Sequence, residues 1–414
     1  MMNNMLIGQS GGPTVAINAS LSGAIWEAMR SGEVHEIYGA RNGLQGILKK
    51  EIIDLKRSIQ NEDDLALLKE TPAMALGSCR FKLPDFPSDT YQKILNIFHE
   101  YEIGYFLYIG GNDSMDTVKK LSDYFLSIHE EIKVVGIPKT IDNDLLCTDH
   151  TPGFGSAAKY IATSVAEIAC DSSVYDSPSV TIVEIMGRNA GWLTASASLA
   201  RLTGCHAPHM IYLPEVVFDP VKFMIDLKKM RETVPHVLVA VSEGLKLQNG
   251  NYVADSEQNG LTDAFGHKYL SGIGKYLENL VREQMDCNVR SVNLNVLQRS
   301  SSYISSATDI SEASQIGATA LQFAVEGKTG VVAVIKRVSD SPYTVEYHCC
   351  EVGSIANLVK SVPKAWIASN GYDVTPEMID YLKPLIVGEP NRHIKYGLPE
   401  FLSFNHVPAV TKAC

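Results

Sequence analysis

The sequence predicts an α/β protein with doubly wound parallel sheets, and three observations carry that expectation. Short runs such as Phe106, Leu107, Tyr108, Ile109 and Val134, Val135, Gly136, Ile137 have the all-apolar composition of strands buried on both faces. Between such runs, apolar residues return at helical spacing, as in Met115, Val118, Leu121 and Phe125. Strand after strand then ends in a turn rich in glycine or acid, and an open parallel sheet gathers such turns along one edge. At 414 residues the chain exceeds a typical single core, so two lobes are expected.

The first strand spans residues 5–8. Ser10, Gly11, Gly12, Pro13 and Thr14 follow, and then Ile17, Leu21, Ala24, Ile25 and Ala28 mark a helix face. Gly11 and Gly12 would let backbone N–H groups approach an anion at that helix N-terminus, although ordinary α/β packing also puts glycines there. Residues 34–38 form a second strand, with Arg41 opening the loop after it. Arg80 and Lys82 follow a Gly77–Ser78 turn, and they matter only if the fold brings them to one phosphate. The strand at 106–109 runs into Gly110, Gly111, Asn112, Asp113 and Ser114, any of the last three being able to cap the following helix.

The most informative turn follows the strand at 134–137, where Lys139, Thr140, Asp142 and Asp144 fall within six residues. Two carboxylates beside a lysine can supply a general base and a cation for a phosphate. A merely polar turn has the same composition. Further on, a helix is expected over 157–169 and another around 313–324. Strands are expected at 180–185, 209–213, 237–241, 290–297 and 331–335, several ending in turns that carry Arg188, Glu243 or Arg299.

Composition narrows the function classes. A formal net charge of -11 with no basic run argues against nucleic-acid or anionic-membrane partners, so any anionic ligand needs a local site. Eight cysteines without a CxxC pair suggest reduced, mostly buried thiols and a cytoplasmic setting. No apolar run reaches transmembrane length.

The turns GQSGGPT, LGSCRFK, GGNDS, PKTIDND, TPGFGSA, EIMGR, SEG and QRS occur in the order and approximate spacing of the phosphofructokinase family, over roughly residues 1–340. The sequence resembles in particular the pyrophosphate-dependent 6-phosphofructokinases. That resemblance implies two Rossmann-like lobes with a cleft between them. Residues 1–154 with about 300–350 would form the phosphoryl-donor lobe. Residues 155–299 with about 351–414, including a C-terminal extension, would form the fructose 6-phosphate lobe.

By the same resemblance, the reaction would be reversible, Mg2+-dependent phosphoryl transfer from pyrophosphate to the 1-hydroxyl of fructose 6-phosphate, in a homodimer or homotetramer. Asp142 would be the general base, with Thr140, Ile141 and Asp144 beside the sugar. Gly11, Gly12, Gly111 and Arg80 would hold the donor. Met186, Gly187, Arg188 and Glu243 would line the sugar site, Arg299 would grip the 6-phosphate, and Arg290 would reach that of a neighbouring subunit. ATP-using members read GGDGS and PGTIDND, with glycine where this chain has Asp113 and Lys139. A carboxylate at Asp113 would repel a nucleotide α-phosphate, and Lys139 would offset charge on the transferring group. Arg41 replaces an aromatic that packs on adenine in ATP-using relatives.

Three positions depart from the family pattern. Asn112 stands where an aspartate near the metal is more usual, which shifts metal binding towards Asp113, Asp142, Asp144 and the donor oxygens. Val296 replaces a histidine or tyrosine near the sugar, and Ser179 an arginine of the cross-subunit phosphate clamp. An ATP-dependent kinase of the same fold and a catalytically inactive regulatory subunit are the alternative readings.

Overall fold

The computed structural model describes residues 3–253, 272–402 and 407–409. Besides a short pair at Ile394–Lys395 and Leu398–Pro399, the strands in chain order are β1 (Asn4–Gln9), β2 (Ile37–Ala40), β3 (Ile52–Asp54), β4 (Ile103–Gly110), β5 (Lys133–Pro138), β6 (Ser179–Ile185), β7 (Met210–Tyr212), β8 (His236–Ser242), β9 (Asn288–Asn293), β10 (Val331–Asp340) and β11 (Tyr343–Glu351). They build a seven-stranded sheet of order β11-β10-β5-β4-β1-β2-β3 and a four-stranded sheet of order β7-β8-β6-β9. The second sheet is parallel throughout, and in the first only β2–β3 and β10–β11 run antiparallel. The predicted α/β class with two lobes is therefore the observed one.

The all-apolar strands feed two cores at once. Because side chains alternate across a strand, Phe106, Tyr108 and Val134 pack on one face of the large sheet, and Leu107, Ile109, Val135 and Ile137 on the other. Along β6, Val183 and Ile185 enter one core and Val180 and Ile182 the opposite one.

Two helices fix how the large sheet is covered. Ile17–Arg30 packs against Ala307–Val325 so closely that a Cβ on Gly23 would lie 1.8 Å from the Ser314 carbonyl oxygen, and one on Gly317 2.0 Å from that of Ser20. Gly317→Ala is expected to destabilise the protein by about 1–3 kcal/mol, the usual overpacking cost. A lowered urea midpoint at unchanged m-value would show it, and an unshifted midpoint would show that the helices can part freely.

The helix expected at 157–169 begins earlier, at Phe154–Ser172, because its N-terminus is capped from elsewhere. Asp309 Oδ1 accepts the Gly153 N–H at 2.8 Å and Oδ2 that of Ser156 at 3.0 Å, placing a carboxylate at the positive end of the helix. The second strand is displaced from 34–38 to Ile37–Ala40, where it pairs in register with Met5 to Gly8; Val34 is buried but outside the ladder. The strand expected at 290–297 stops at Asn293, whose Oδ1 accepts the Asn295 N–H at 2.8 Å while Asn295 turns to φ +42. The cysteines are less buried than expected. Of the seven among the described residues, Cys79 is buried, Cys147 and Cys170 are exposed and the others lie between, Cys349 and Cys350 sitting on the sheet-edge strand β11.

The C-terminal extension touches both sheets. Val352, Ile355 and Ala356 enter the core of the large sheet, whereas Val362, Val374, Met378, Tyr381, Leu382 and Leu385 enter that beside the small one. Beyond them His393 meets Glu70 at 3.1 Å, and the Ala409 N–H donates to the Ile52 carbonyl on β3. No helix among the described residues is long and apolar enough to cross a membrane.

Candidate active site

The two sheets point the C-terminal ends of their parallel strands at a common cleft of about 750 Å³. The large sheet contributes residues 10–14 after β1, 111–114 after β4 and Lys139, Thr140, Ile141, Asp142 and Asp144 after β5. The small sheet contributes Glu184, Ile185, Met186, Arg188 and Asn189 at β6, Glu243 after β8, and Asn293, Asn295, Val296 and Arg299 at and after β9. Arg80, Asn357 and Val359 complete the wall.

Lys139 sits at the centre of this arrangement, only 2% exposed. Its Nζ donates to the Gly12 carbonyl at 2.7 Å, and its backbone N–H donates to Gly110. A Cβ on Gly11 would lie 3.2 Å from that Nζ, and one on Gly12 3.1 Å from Arg299 Nη1, so both glycines let a cation approach the backbone. Burial lowers the Lys139 pKa to about 8, with Asp142 and Asp144 resisting and Arg299 assisting.

The carboxylates are shifted the other way. Burial raises the pKa of Asp142 against the opposing charges of Lys139, Arg188 and Arg299 and a hydrogen bond from Thr140. Thr140 Oγ1 donates to Asp142 Oδ2 at 3.4 Å and accepts the Asp142 N–H at 3.1 Å, so the Asp142 carboxylate is braced by its own turn. Asp144 is raised to about 7 by burial and then by the charge of Asp142, and Glu243 to about 7 by the same two causes in the same order. Glu243 also accepts the Gly187 N–H at 3.3 Å. Perturbed groups gathered in one cleft mark a site of chemistry.

Four buried polar atoms of the wall have no partner among the described residues: Thr14 Oγ1, Asn112 Oδ1, Arg188 Nε and Arg299 Nε. Buried polar atoms are normally paired, and three of these four can donate to an anion. Asn112 turns its Nδ2 to the Leu358 carbonyl at 2.7 Å, leaving Oδ1 as the oxygen for a cation. Among the described residues no group of three or more His, Cys, Asp or Glu side chains is placed to cage a metal. The isolated oxygens of Asn112, Asp113, Asp142 and Asp144 therefore suit a divalent ion carried largely by phosphate oxygens.

Nearly every residue singled out in the sequence lines this cleft. Gly187 does not, but at φ +123 it supports Glu243 and accepts a hydrogen bond from Ser242 Oγ at 2.7 Å. Arg290 also lies outside: its Nη2 meets Asp171 at 2.5 Å and Ser172 at 2.9 Å, and its Nε meets Thr181. Arg41, after β2, is not part of the wall. Sequence reading assigned nothing to Ser10, Thr14, Asn189, Glu184, Asn293 or Asn295, although the first four lie within or one residue beyond the quoted turns. Asn357 and Val359 had no local signal at all, since they arrive from the C-terminal extension.

Comparison with known proteins agrees with this geometry. The chain is 39% identical to the pyrophosphate–fructose 6-phosphate 1-phosphotransferase of Xanthomonas campestris pv. campestris, over 99% of this chain and 98% of that protein. It is 36% identical to the protein of the same name from Halomonas elongata, over 96% and 95%. The crystal structure of a pyrophosphate-dependent phosphofructokinase from Nitrosospira multiformis superposes with a TM-score of 0.88 at 34% identity, covering 100% of this chain and 99% of that one. Residues 4–324 match the family model described as Phosphofructokinase, and the chain belongs to that family.

Proposed function

We propose that this protein reversibly transfers a phosphoryl group from pyrophosphate to the 1-hydroxyl of fructose 6-phosphate, giving fructose 1,6-bisphosphate and phosphate. The observation that carries the reading is the buried Lys139 ammonium, held on the Gly12 carbonyl between the glycine-rich turn and Arg299, with Asp142 close by. A short, highly charged donor lying on Gly11, Gly12 and Gly111 would meet Lys139 directly, with Arg80 as a second cation. Asp113 stands exposed at the first turn of the helix Asn112–Ser127, where it would repel the further phosphates of a nucleotide.

In this mechanism Asp142 accepts the proton of the sugar 1-hydroxyl as the oxygen attacks. Lys139 offsets the charge of the transferring group and of the departing phosphate. Arg299 holds the 6-phosphate, while Met186, Arg188, Glu243, Thr140, Ile141 and Asp144 surround the sugar. Mg2+, held by donor oxygens with Asn112 Oδ1 and the neighbouring aspartates, would reduce the repulsion between the incoming alkoxide and the donor. The donor lobe would comprise residues 1–154 and about 300–350, the sugar lobe the remainder. The enzyme would act in the cytoplasm as a homodimer or homotetramer in which Arg290 serves the neighbouring site.

The test is the initial rate with fructose 6-phosphate and Mg2+, comparing pyrophosphate with ATP. Turnover with pyrophosphate and almost none with ATP is expected; turnover with ATP alone would overturn the donor assignment. The pH profile gives an independent check. Lys139 is charged below its pKa, so kcat/KM for pyrophosphate should fall as pH rises through about 8. Bound pyrophosphate favours the charged lysine, so the corresponding limb of kcat should lie at higher pH. A kcat/KM profile flat through this range would remove Lys139 from the donor site.

A further inference from the structure

The turn that carries Asp142 and Asp144 is gripped from behind by two residues of the C-terminal extension. The Lys360 ammonium donates to Asn143 Oδ1 at 3.2 Å, to the Thr148 carbonyl at 3.2 Å and to the Asp149 carbonyl at 2.7 Å. Its backbone N–H donates to the Asp144 carbonyl at 2.8 Å, and its own carbonyl accepts from Trp192 Nε1 at 2.8 Å. The same ammonium lies 5.1 Å from the centroid of the Trp192 ring. The Tyr381 hydroxyl accepts from Asn143 Nδ2 at 2.9 Å and donates to the Asp149 carbonyl at 2.8 Å.

Asn143 stands between the two aspartates at φ +53, a left-handed conformation that asparagine adopts more readily than most residues. Both ends of its amide are hydrogen-bonded. Oδ1 takes the Lys360 ammonium and the Thr151 N–H, and Nδ2 takes Tyr381. The three oxygens bonded to the ammonium are all uncharged, so the positive charge is left to act on the carboxylates nearby, Asp144 and Asp149 among them. Burial lowers the Lys360 pKa to about 8, which still leaves it charged at neutral pH.

We infer that Lys360, assisted by Tyr381, is a positioning residue for the phosphoryl-transfer step: it locks the turn so that the Asp142 carboxylate faces the cleft in reactive alignment. Neither side chain touches substrate in this assignment, and the inference rests on the reading of Asp142 as the base. The reason for a lysine is geometric, because one ammonium can bridge the Asn143 side chain and two carbonyls of the return limb at once. The extension thereby acquires a mechanistic purpose, holding the turn from a segment more than two hundred residues later in the chain.

The experiment compares wild type, Lys360→Met and Tyr381→Phe with pyrophosphate, fructose 6-phosphate and Mg2+. Misalignment of a catalytic group by about 1 Å costs about a hundredfold in rate, so a kcat loss of that order is expected for Lys360→Met and of about tenfold for Tyr381→Phe. Both KM values should stay within about twofold, since the lost contacts serve the transition state rather than substrate binding. A mere staple of the fold would instead lower the melting temperature and leave kcat of the folded enzyme intact. Should Lys360→Met fail to fold, Tyr381→Phe decides, because it removes one hydroxyl and keeps the packed ring. An active wild type with unimpaired kcat in the variants overturns this inference alone; a wild type idle with pyrophosphate overturns the function reading and this inference with it.

Discussion

Asp142→Asn is expected to lower kcat by about 10²–10⁴-fold, the range that a positioned general base supplies. The substitution preserves shape, and an amide oxygen can still accept from Thr140 Oγ1 as Oδ2 does now. What it removes is the basicity that the proposed mechanism needs to take the sugar proton, together with the negative charge that faces Lys139, Arg188 and Arg299. With that charge gone the three cations attract phosphate more strongly, so KM for either substrate should hold or fall. Steady-state kinetics on the purified variant, with circular dichroism to confirm the fold, give the answer. Wild-type kcat would move the base elsewhere, with Asp144 the first candidate.

The second large effect concerns the donor. Asp113→Gly combined with Lys139→Gly should lower kcat with pyrophosphate by about 10²–10³-fold, as loss of a preorganised charge does at other transition states. It should also improve the relative use of ATP, because the carboxylate facing a longer donor has gone. The two positions belong together in the proposed mechanism, where Asp113 would exclude the longer donor and Lys139 would stabilise the shorter one. Undiminished pyrophosphate turnover in the double variant would refute the donor argument.

What the sequence made legible follows from how parallel strands are read. β1, β4, β5, β6 and β8 are buried along nearly their whole length, so their apolar runs stand out, and the turns after them hold most of the cleft. β3 and β11 escaped notice for the opposite reason. β3 has three residues, and β11 alternates partly buried and exposed side chains through Thr344, Glu346 and His348. The grip of Lys360 and Tyr381 on Asn143 was equally invisible, because contacts across so long a stretch of chain leave no periodicity and no motif. Arg290 lies outside the cleft of its own chain, where its guanidinium is engaged by Asp171 and Ser172, so its proposed role at a neighbouring site rests on the resemblance alone.

The strand order has a consequence for synthesis of the chain. β5 lies between β4, made just before it, and β10, made only after the whole small sheet. While the ribosome translates β6 to β9, the growing polypeptide therefore carries an apolar strand with one open edge, the kind of surface that recruits neighbouring chains into aggregates. Pairing of Val331 and Val332 with Val135 and Gly136 closes that edge. The same strand leads into Lys139 and Asp142, and their turn is finally locked only when Lys360 and Tyr381 have emerged. Prematurely terminated products of this gene should thus be aggregation-prone and silent rather than partly active, since edge closure and turn locking both depend on residues translated late.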